Sequence, residues 1–372
     1  MGMKRVLILR SNPVEPDPRV EKEARALAEA GYQVRVLGWD RIGRSPRQER
    51  KDYGTLERIF IRAHFGKGLA NLPALLRFQV ALLKFLFQHR SEYDIIHACD
   101  LDTVVSAYVA GLLFHKKVVY DIFDFYAEML RHTPNWIKRA VKHLDIWLMG
   151  KVDAVILADE ARKEQIRGAK PKRLQIIYNS PDTLWECRES YSSPPLRIVY
   201  VGLLQVERGI LQMLEVLHTH PEWELDLAGF GGDEERIRQE AEKLPNVRYH
   251  GRIPYEETLR LTCTAHVLFA TYDPSIPNHR YSSANKLFEA MAFGKPIIVA
   301  RGTGMDRLVE SLGLGYVVEY GNVRELEATL RRIAGWTEEQ RRAFAERAKA
   351  VFEQHFSWEK MKKRLLALYS EL

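Results

Sequence analysis

The sequence predicts an α/β protein with two domains, each built on a parallel sheet covered by helices. The chain has 372 residues, above the size at which one hydrophobic core usually stops growing. Short apolar runs such as Val6–Leu9 and Val118–Tyr120 alternate with segments of helical period, a pattern typical of parallel sheets. A strand, loop and helix pattern starts near residue 6 and recurs near residue 197, which indicates two domains that begin alike.

The domain boundary is predicted where the sequence becomes rich in Ser and Pro. The segment SPDTLWECRESYSSPPL, residues 180–196, has no sustained period. We therefore assign residues 1–183 to an N-terminal domain, 184–196 to a linker and 197–354 to a C-terminal domain. We expect the last helix, at about 355–372, to pack back on the first domain.

Composition and charge restrict the class of protein. With 46% hydrophobic and 28% charged residues, the chain is neither disordered nor collagenous. Its net charge of +7 arises in the first half, where residues 1–183 hold 31 Lys and Arg against 22 Asp and Glu. Such an excess suits nucleic acid, an anionic membrane or phosphorylated substrates, and does not choose among them.

Cysteine usage and the N-terminus bear on the compartment. Cys99, Cys187 and Cys263 are odd in number and far apart, so we expect neither a disulfide framework nor a zinc cluster. The first apolar run is short and is followed by charge and proline, which indicates a strand rather than a signal peptide. These features favour a reducing, cytoplasmic compartment.

Residues 72–90 form a predicted helix of high apolar content. Arg77, Lys84 and Gln88 share one narrow stripe, and the remaining circumference is mostly Leu, Phe, Val and Ala. With two central charges in 19 residues, the helix should not span a bilayer. Two interpretations stay open: a basic, apolar helix that rests on a membrane, and a helix buried in its own domain.

The segment YSSANKLFEAMAFGKPIIVA, residues 281–300, contains the strongest polar constellation. A Ser-rich loop opens a short helix, so Asn285 and Lys286 lie in its first turn and Glu289 lies on the same face. A helix start with Lys286 suits a diphosphate, and Glu289 suits a ribose diol. The alternative is a solvated pair of Lys286 and Glu289, worth only about 0.2–0.5 kcal/mol.

Other candidates follow predicted strands. His97 ends a strand, where open α/β sheets place their ligands, but core packing explains it equally well. Asp100 and Asp102 form a DLD sequence, and metal-dependent catalysis is not the favoured interpretation of it. The GFGGD segment at 229–233 lacks the GxGxxG spacing, which argues against a nicotinamide cofactor.

Three segments carry a resemblance to a known family. NKLFEAMAFGKPIIVA, YVGLLQVERGI and PDPRVEKEARALAEAGYQVRVL resemble the retaining nucleotide-sugar glycosyltransferases of family 4, and the likeness covers essentially the whole chain. It implies the GT-B fold, with two Rossmann-like domains whose parallel sheets face an interdomain cleft. It also implies metal-independent, cofactor-free transfer of a sugar from a nucleotide-diphosphate donor to a hydroxyl of a saccharide or lipid-linked acceptor.

The resemblance assigns roles to individual residues. Arg208 stands where the family has a phosphate-binding cation, Glu289 stands at the ribose position, and Lys286 lies in the donor-phosphate loop. Arg252 is expected to border the base, with a solvent-exposed arginine as the alternative. The full donor-binding set is Glu289, Asn285, Ser283, Arg252, Ile253 and Leu203.

In the first domain the resemblance points to a segment with two aspartates, VVYDIFDFYAEM. A histidine that lies near the sugar in the family falls on Phe123 here, flanked by Asp121 and Asp124. Either carboxylate would stabilise positive charge at the sugar carbon or orient the acceptor hydroxyl, and structural capping is the alternative. The expected catalytic set is Arg208, Lys286, Asp121, Asp124 and His97, and the acceptor-side loop contributes Asp17 and Arg19.

The chain departs from the family pattern at Tyr281, at Leu203 and in the loop SNPVEPDPR, so the sugar, acceptor and linkage stay unassigned. A UDP- or GDP-linked donor is expected ahead of an ADP-linked one. We expect a role in polysaccharide or glycolipid biosynthesis, contact of the basic first domain with the inner membrane face, and no nucleic acid partner. The alternatives are a nucleotide-sugar epimerase or phosphorylase on the same fold, and a non-catalytic protein that binds anionic surfaces.

Overall fold

A computed structural model describes most of the chain, namely residues 3–15, 17–63, 71–130, 133–182 and 195–372. The chain divides into two compact units: unit 1 comprises Met1–Tyr178 and Met361–Leu372, and unit 2 comprises Asn179–Lys360. Residues 184–194 of the predicted linker, with Cys187, lie outside the described residues.

Unit 1 contains an eight-stranded sheet. Its strands are β1 (Arg5–Leu9), β2 (Gln33–Asp40), β3 (Gln48–Lys51), β4 (Gly54–Phe60), β5 (Ile95–Cys99), β6 (Lys117–Ile122), β7 (Ala154–Leu157) and β8 (Leu174–Ile176). The spatial order is β3-β4-β2-β1-β5-β6-β7-β8. All neighbours are parallel except β3, which pairs antiparallel with β4 at the edge.

Helices cover both faces of this sheet. They are α1 (Pro18–Glu29), α2 (Leu72–Gln88), α3 (Leu101–Phe114), α4 (Tyr126–Met129) and α5 (Asn135–Met149). The Asp17 side chain caps α1 by accepting the Val20 N–H, with Pro18 in the first turn. Right-handed crossovers place α2, α3 and α5 on the face opposite α1, and the buried side chains of these three helices share one hydrophobic cluster.

Unit 2 contains a six-stranded parallel sheet. Its strands are β9 (Arg197–Leu203), β10 (Glu224–Phe230), β11 (Val247–Gly251), β12 (Val267–Ala270), β13 (Ile297–Ala300) and β14 (Gly315–Val318). The spatial order is β11-β10-β9-β12-β13-β14. Its helices are α6 (Ile210–Thr219), α7 (Glu234–Ala241), α8 (Tyr255–Thr264), α9 (Asn285–Ala292), α10 (Met305–Leu312), α11 (Val323–Ala334) and α12 (Glu338–Val351). The two parallel α/β units confirm the predicted fold class.

Two glycines bring β9 and β10 close together near their carboxyl ends. Gly229 pairs with Gly202, and a Cβ on Gly229 would lie 1.8 Å from the Gly202 carbonyl oxygen. Gly229 also has φ +145°, which side-chain-bearing residues rarely adopt. The space at the carboxyl ends of β9 and β10 therefore holds no side chain from position 202 or 229.

Two features of the fold differ from the sequence-based expectations. Strands β3 and β4 were not predicted, because their charged residues interrupt the apolar runs that mark buried strands. The three widely spaced cysteines predicted no disulfide framework, and the structure differs in that Cys263 is disulfide-bonded. Cys99 is free and buried. Among the described helices none is long and apolar enough to cross a membrane.

The final helix, α13 (Trp358–Ser370), enters unit 1 at Met361. Its Tyr369 hydroxyl lies 2.6 Å from Nδ1 of His97, which is fully buried in β5. Nε2 of His97 lies 3.5 Å from Asp121 and 3.6 Å from Glu23. The last helix is thus linked to the centre of the sheet through a buried imidazole.

Arg19 supplies the positive charge of this buried network. Its guanidinium donates two hydrogen bonds to Asp121, at 3.0 and 2.8 Å, and a third to the Ile177 carbonyl at 2.7 Å. Glu23 lies 3.3 Å from the same guanidinium. Burial alone would raise the pKa of Asp121, but Arg19 and His97 hold it below its usual value. The carboxylate is ionised because the cation is beside it.

Replacing this cation should destabilise unit 1. We expect Arg19→Met to lower the free energy of unfolding by about 3–5 kcal/mol, because it leaves buried carboxylates without their partner. The matched control is Arg25→Met, which removes an exposed ion pair with Asp52 on the same helix and should cost about 0–1 kcal/mol. Scanning calorimetry measures both.

A second substitution separates loss of charge pairing from loss of packing. Adding Asp121→Asn to Arg19→Met removes one of the unpaired carboxylates and should restore part of the stability. Equal thermal shifts for Arg19→Met and Arg25→Met would contradict the assigned role of the network.

Candidate donor-binding site

The site in unit 2 is organised around a buried ammonium group. Lys286 lies in the first turn of α9 and is buried, and its Nζ donates a 2.9 Å hydrogen bond to the Tyr272 hydroxyl. The same Nζ lies 4.3 Å from the centroid of the Tyr200 ring, a cation–π distance. A Cβ on Gly202 would approach Nζ to 3.1 Å, so the glycine leaves room for the cation.

Arg208 brings a second cation to the same hydroxyl. Its guanidinium carbon lies 4.2 Å from the centroid of the Tyr272 ring, and its Nε lies 3.4 Å from Oε1 of Gln205. Burial opposes ionisation of Tyr272, but Lys286 and Arg208 outweigh it and hold the pKa of the phenol below its usual value. The site is therefore prepared to accept negative charge.

The loop that carries Arg208 is fixed by close backbone contacts. Gly209 follows it with φ +76°, and a Cβ there would lie 2.0 Å from Oγ1 of Thr271. Asp233 accepts a 3.0 Å hydrogen bond from the Val206 N–H, so the GFGGD segment supports this loop. Only glycine at 209 allows the loop to lie against the end of β12.

Glu289 lies one helical turn after Lys286 and is also buried. The Tyr255 hydroxyl hydrogen-bonds to this carboxylate, and the pKa of Tyr255 is raised by burial and by the neighbouring charge of Glu289. Because Lys286 and Glu289 are both buried, the interpretation as a solvated surface pair is wrong. The two residues instead present a cation and a carboxylate at one end of α9.

The other predicted donor residues lie around this centre at different depths. Asn285 is the exposed first residue of α9, and the Ser283 carbonyl accepts a 3.4 Å hydrogen bond from the Asn179 amide. Leu203 at the end of β9 is exposed and pairs across the sheet with exposed Phe230. Arg252 stacks at 4.6 Å on the Phe230 ring, and Ile253 follows it half-buried.

Most candidates in unit 1 belong to structural networks. Asp121, His97 and Arg19 lie in the buried network that ties α13 to the sheet. Asp17 caps α1 and accepts a 2.8 Å bond from Arg10. Their ion pairs and the helix cap explain why these groups are buried. A direct action of any of them on a sugar stays a prediction.

A second group lies at the carboxyl ends of β1, β5 and β6. Asp100 accepts the backbone N–H groups of Phe123 and Asp124 through Oδ1 and pairs with Arg10 through Oδ2. Burial raises the pKa of Asp100 to about 6. The carboxylate of Asp124 is partly exposed and pairs with Arg162 at 3.0 Å. The DLD sequence thus organises a loop through Asp100.

Within the described residues, His97, Cys99 and Asp121 place potential metal-ligand atoms within 4.8 Å of one another. Arg19 already occupies both oxygens of Asp121, and burial raises the pKa of the Cys99 thiol well above its usual value. A neutral thiol is a weak metal ligand, and the neighbouring guanidinium repels a metal cation. The group suits the ion-pair network better than a metal.

The sequence pattern did not predict four residues of this site, namely Tyr272, Gln205, Tyr255 and Phe230. Tyr272 and Phe230 were detectable in principle, because each lies at the carboxyl end of a buried strand, where parallel sheets place their ligands. Tyr255 contacts Glu289 only through tertiary packing. Its neighbours in sequence give no sign of that contact.

Comparison with protein families agrees with this organisation. Residues 19–183 match the family model described as Glycosyltransferase Family 4. Residues 188–351 match the model described as Glycosyl transferases group 1. An uncharacterized glycosyltransferase of Haemophilus influenzae is 22% identical over 264 residues, which cover 69% of this chain and 73% of the relative.

Solved structures share the fold over nearly the whole chain. Sucrose-phosphate synthase from Thermosynechococcus elongatus is 17% identical with a TM-score of 0.80, covering 99% of this chain and 98% of its own. Anabaena HepE in complex with UDP and glucose is 16% identical with a TM-score of 0.72, covering 99% and 100%. With both halves matched to sugar-transferring families and the fold shared throughout, the chain is a glycosyltransferase of the GT-B fold.

Proposed function

We propose that this glycosyltransferase is retaining and metal-independent, and that it uses a UDP- or GDP-linked sugar as donor. The acceptor is a hydroxyl group of a saccharide or of a lipid-linked saccharide. The observation that carries the proposal is the convergence of Lys286 and Arg208 on Tyr272 at the end of the unit 2 sheet. Two cations fixed at one point suit a diphosphate.

The two cations supply the charge that a metal ion supplies in other transferases. Departure of the nucleotide leaves negative charge on the diphosphate, and fixed donors in a buried setting stabilise it with little reorganisation. Lys286 is held between the rings of Tyr200 and Tyr272, so its position is set before the donor arrives. The two cations therefore make the nucleotide diphosphate a better leaving group in this site than it is in water.

The proposed transfer moves one electron pair and one proton to the departing diphosphate. The bond between the anomeric carbon and the diphosphate oxygen breaks, and the electron pair stays on the diphosphate. The acceptor oxygen then bonds to the same face of that carbon, while its proton passes to the departing diphosphate. Retention follows because leaving group and acceptor share one face.

The nucleoside is assigned to Glu289 and to the surface beside β10 and β11. Glu289 is oriented by Tyr255 and suits the two hydroxyls of a ribose. Phe230 and Arg252 form a stacked, exposed pair on which a base can lie. UDP-glucose is bound by Anabaena HepE and ADP by Arabidopsis starch synthase IV, both of which share this fold.

On the acceptor side, Asp124 is the stronger of the two aspartate candidates. Its side chain is 44% exposed, whereas Asp121 is fully buried. Asp124 is held by Arg162, so the carboxylate is oriented and accessible. We assign it to the acceptor hydroxyl and leave Asp121 to the structure of unit 1.

The reaction type is tested by product analysis with and without acceptor. Transfer predicts a new α- or β-glycoside with the donor's anomeric configuration by NMR, and unchanged rates after EDTA treatment. Thermal-shift screening of UDP-, GDP- and ADP-sugars identifies the donor, because binding stabilises the folded state. Inverted product, sugar isomerisation without acceptor, or loss of activity in EDTA would each contradict the proposal.

Removing either cation should impair catalysis without unfolding the protein. We expect Lys286→Met and Arg208→Met to lower kcat roughly 10²–10³-fold, as for other charge-stabilising donors. The control is Arg260→Met on α8 of the same unit, an exposed ion pair with Glu256, which should retain parental rates. Parental turnover in Arg208→Met would refute the phosphate assignment.

Tyr272 should make donor affinity depend on pH. The groups near Tyr272 are Lys286, Arg208, Tyr200 and His279. The ring centroids of Tyr272 and His279 lie 5.3 Å apart. The pKa of Tyr272 in the free enzyme is about 8, so at higher pH the free enzyme forms a phenolate whose single negative charge offsets part of the charge of the two cations. The bound diphosphate favours the neutral phenol, so binding takes up a proton.

We therefore expect donor affinity to fall by up to about tenfold per pH unit as the pH rises above about 8, the pKa of Tyr272 in the free enzyme, towards the ordinary tyrosine pKa of about 10. Tyr272→Phe should abolish most of this decline. Isothermal titration calorimetry with the donor nucleotide measures both proteins, and parallel pH profiles would show that Tyr272 does not compete with the phosphate.

A further inference from the structure

One face of unit 1 carries an unusual concentration of exposed apolar side chains. In the part of the chain that the structure describes, eleven of the sixteen exposed large hydrophobic side chains lie on three helices, α2, α3 and α5. They are Leu72, Leu76, Val80, Leu83, Phe87, Val109, Leu112, Leu113, Trp136, Leu144 and Trp147. We call this set the three-helix face.

The exposed residues follow helical spacing, so each helix presents an apolar stripe. On α2 the buried residues Phe78, Leu82 and Leu86 face the core, and the exposed set repeats every three or four positions on another side. The helix is therefore both a core helix and an exposed apolar one. The buried residues agree with the interpretation of residues 72–90 as a core helix, and contact with a membrane stays a prediction.

Aromatic contacts join the three stripes into one surface. Phe87 of α2 meets Phe114 of α3 edge to face at 5.5 Å, and Tyr108 of α3 meets Trp147 of α5 at the same distance. All three helices lie on one side of the unit 1 sheet. A continuous apolar area of this kind exceeds the scattered exposure that is normal for a protein surface.

The exposed charges on these helices are basic. The basic residues are Arg77 and Lys84 on α2 and Lys138, Arg139 and Lys142 on α5. The acidic residues of the three helices are Asp102 and Asp145. Asp145 is fully buried and accepts the Tyr120 hydroxyl at 2.8 Å, and burial raises its pKa. Asp102 begins α3 beside Arg41 and Ser11.

We propose that the three-helix face is a membrane-docking surface that lies on a bilayer containing anionic lipid. Leucine, phenylalanine and tryptophan next to lysine and arginine are the side chains that settle at the boundary of head groups and acyl chains. A second copy of the same face would place cations opposite cations, which is unfavourable, whereas a bilayer with anionic lipid complements them. The proposal concerns unit 1 and is independent of the donor chemistry.

Docking is tested by co-sedimentation of the full chain with large vesicles of two compositions. One set contains phosphatidylcholine alone, and the other contains roughly 30% phosphatidylglycerol. We expect binding to the anionic vesicles that falls at least about fivefold between ~0.1 and ~0.5 M salt, because screening shortens the reach of the surface charge. The charge variant Lys138→Gln, Arg139→Gln, Lys142→Gln should lose most of this binding.

A matched pair of double variants tests the apolar part. Leu112→Glu, Leu113→Glu adds two charges to the three-helix face and should lower vesicle binding at least about tenfold. Ile42→Glu, Phe60→Glu adds the same charge at exposed positions at the carboxyl ends of β2 and β4 and should leave binding within about twofold. Thermal shifts with UDP check that both variants fold and bind donor.

Three outcomes overturn the proposal. They are absence of binding to either vesicle by the parental chain, equal binding by both double variants, and a dimer in light scattering that only the Leu112→Glu, Leu113→Glu variant dissociates. The last result would assign the face to a second copy of the chain. Donor binding and transfer to a soluble acceptor are scored separately, so a failure here leaves the proposed reaction intact.

Discussion

The position of one ammonium group sets the requirements on the rest of unit 2. Lys286 is buried between two tyrosine rings, where an unpaired cation is costly. The protein meets that cost with the Tyr272 hydroxyl and the π faces of the two rings. Gly202 and Gly229 keep side chains away from it, and Gly209 brings Arg208 to the same hydroxyl. A diphosphate would replace the phenol as the partner of both cations.

Charge is distributed differently in the two units. Unit 1 holds the basic excess, part of which lies on the three-helix face, while its buried carboxylates are each matched by an internal partner such as Arg19 or Tyr120. Unit 2 holds 22 Lys and Arg against 27 Asp and Glu, so its positive charge is local, with two cations at one point. Under the two proposals, the basic excess of unit 1 serves contact with an anionic surface, and the geometry of Lys286 and Arg208 serves binding of the donor.

Local pattern was sufficient for the fold class and for part of the donor site. Apolar runs located the central strands, and the first turn of α9 placed Lys286 and Glu289 on one face. Depth was not predictable: the same spacing suits a solvated pair, and only the packing of α9 against Tyr255 and Tyr272 buries both groups. Strands β3 and β4 were missed because charged residues interrupt their apolar runs, at the edge strand β3 and at its neighbour β4. The ion pair of Asp121 was not predictable, because its partner, Arg19, lies 102 residues away in the sequence.

The most direct measurement compares the affinities of the diphosphate, monophosphate and free nucleoside of the preferred donor by isothermal titration calorimetry. If Lys286 and Arg208 form the phosphate site, affinity should rise at least about tenfold with the second phosphate, roughly 1.4 kcal/mol, and this gain should vanish in Lys286→Met while nucleoside binding persists. An equal gain in Lys286→Met and in the parental protein would contradict the assignment of the phosphate site, and with it the central claim.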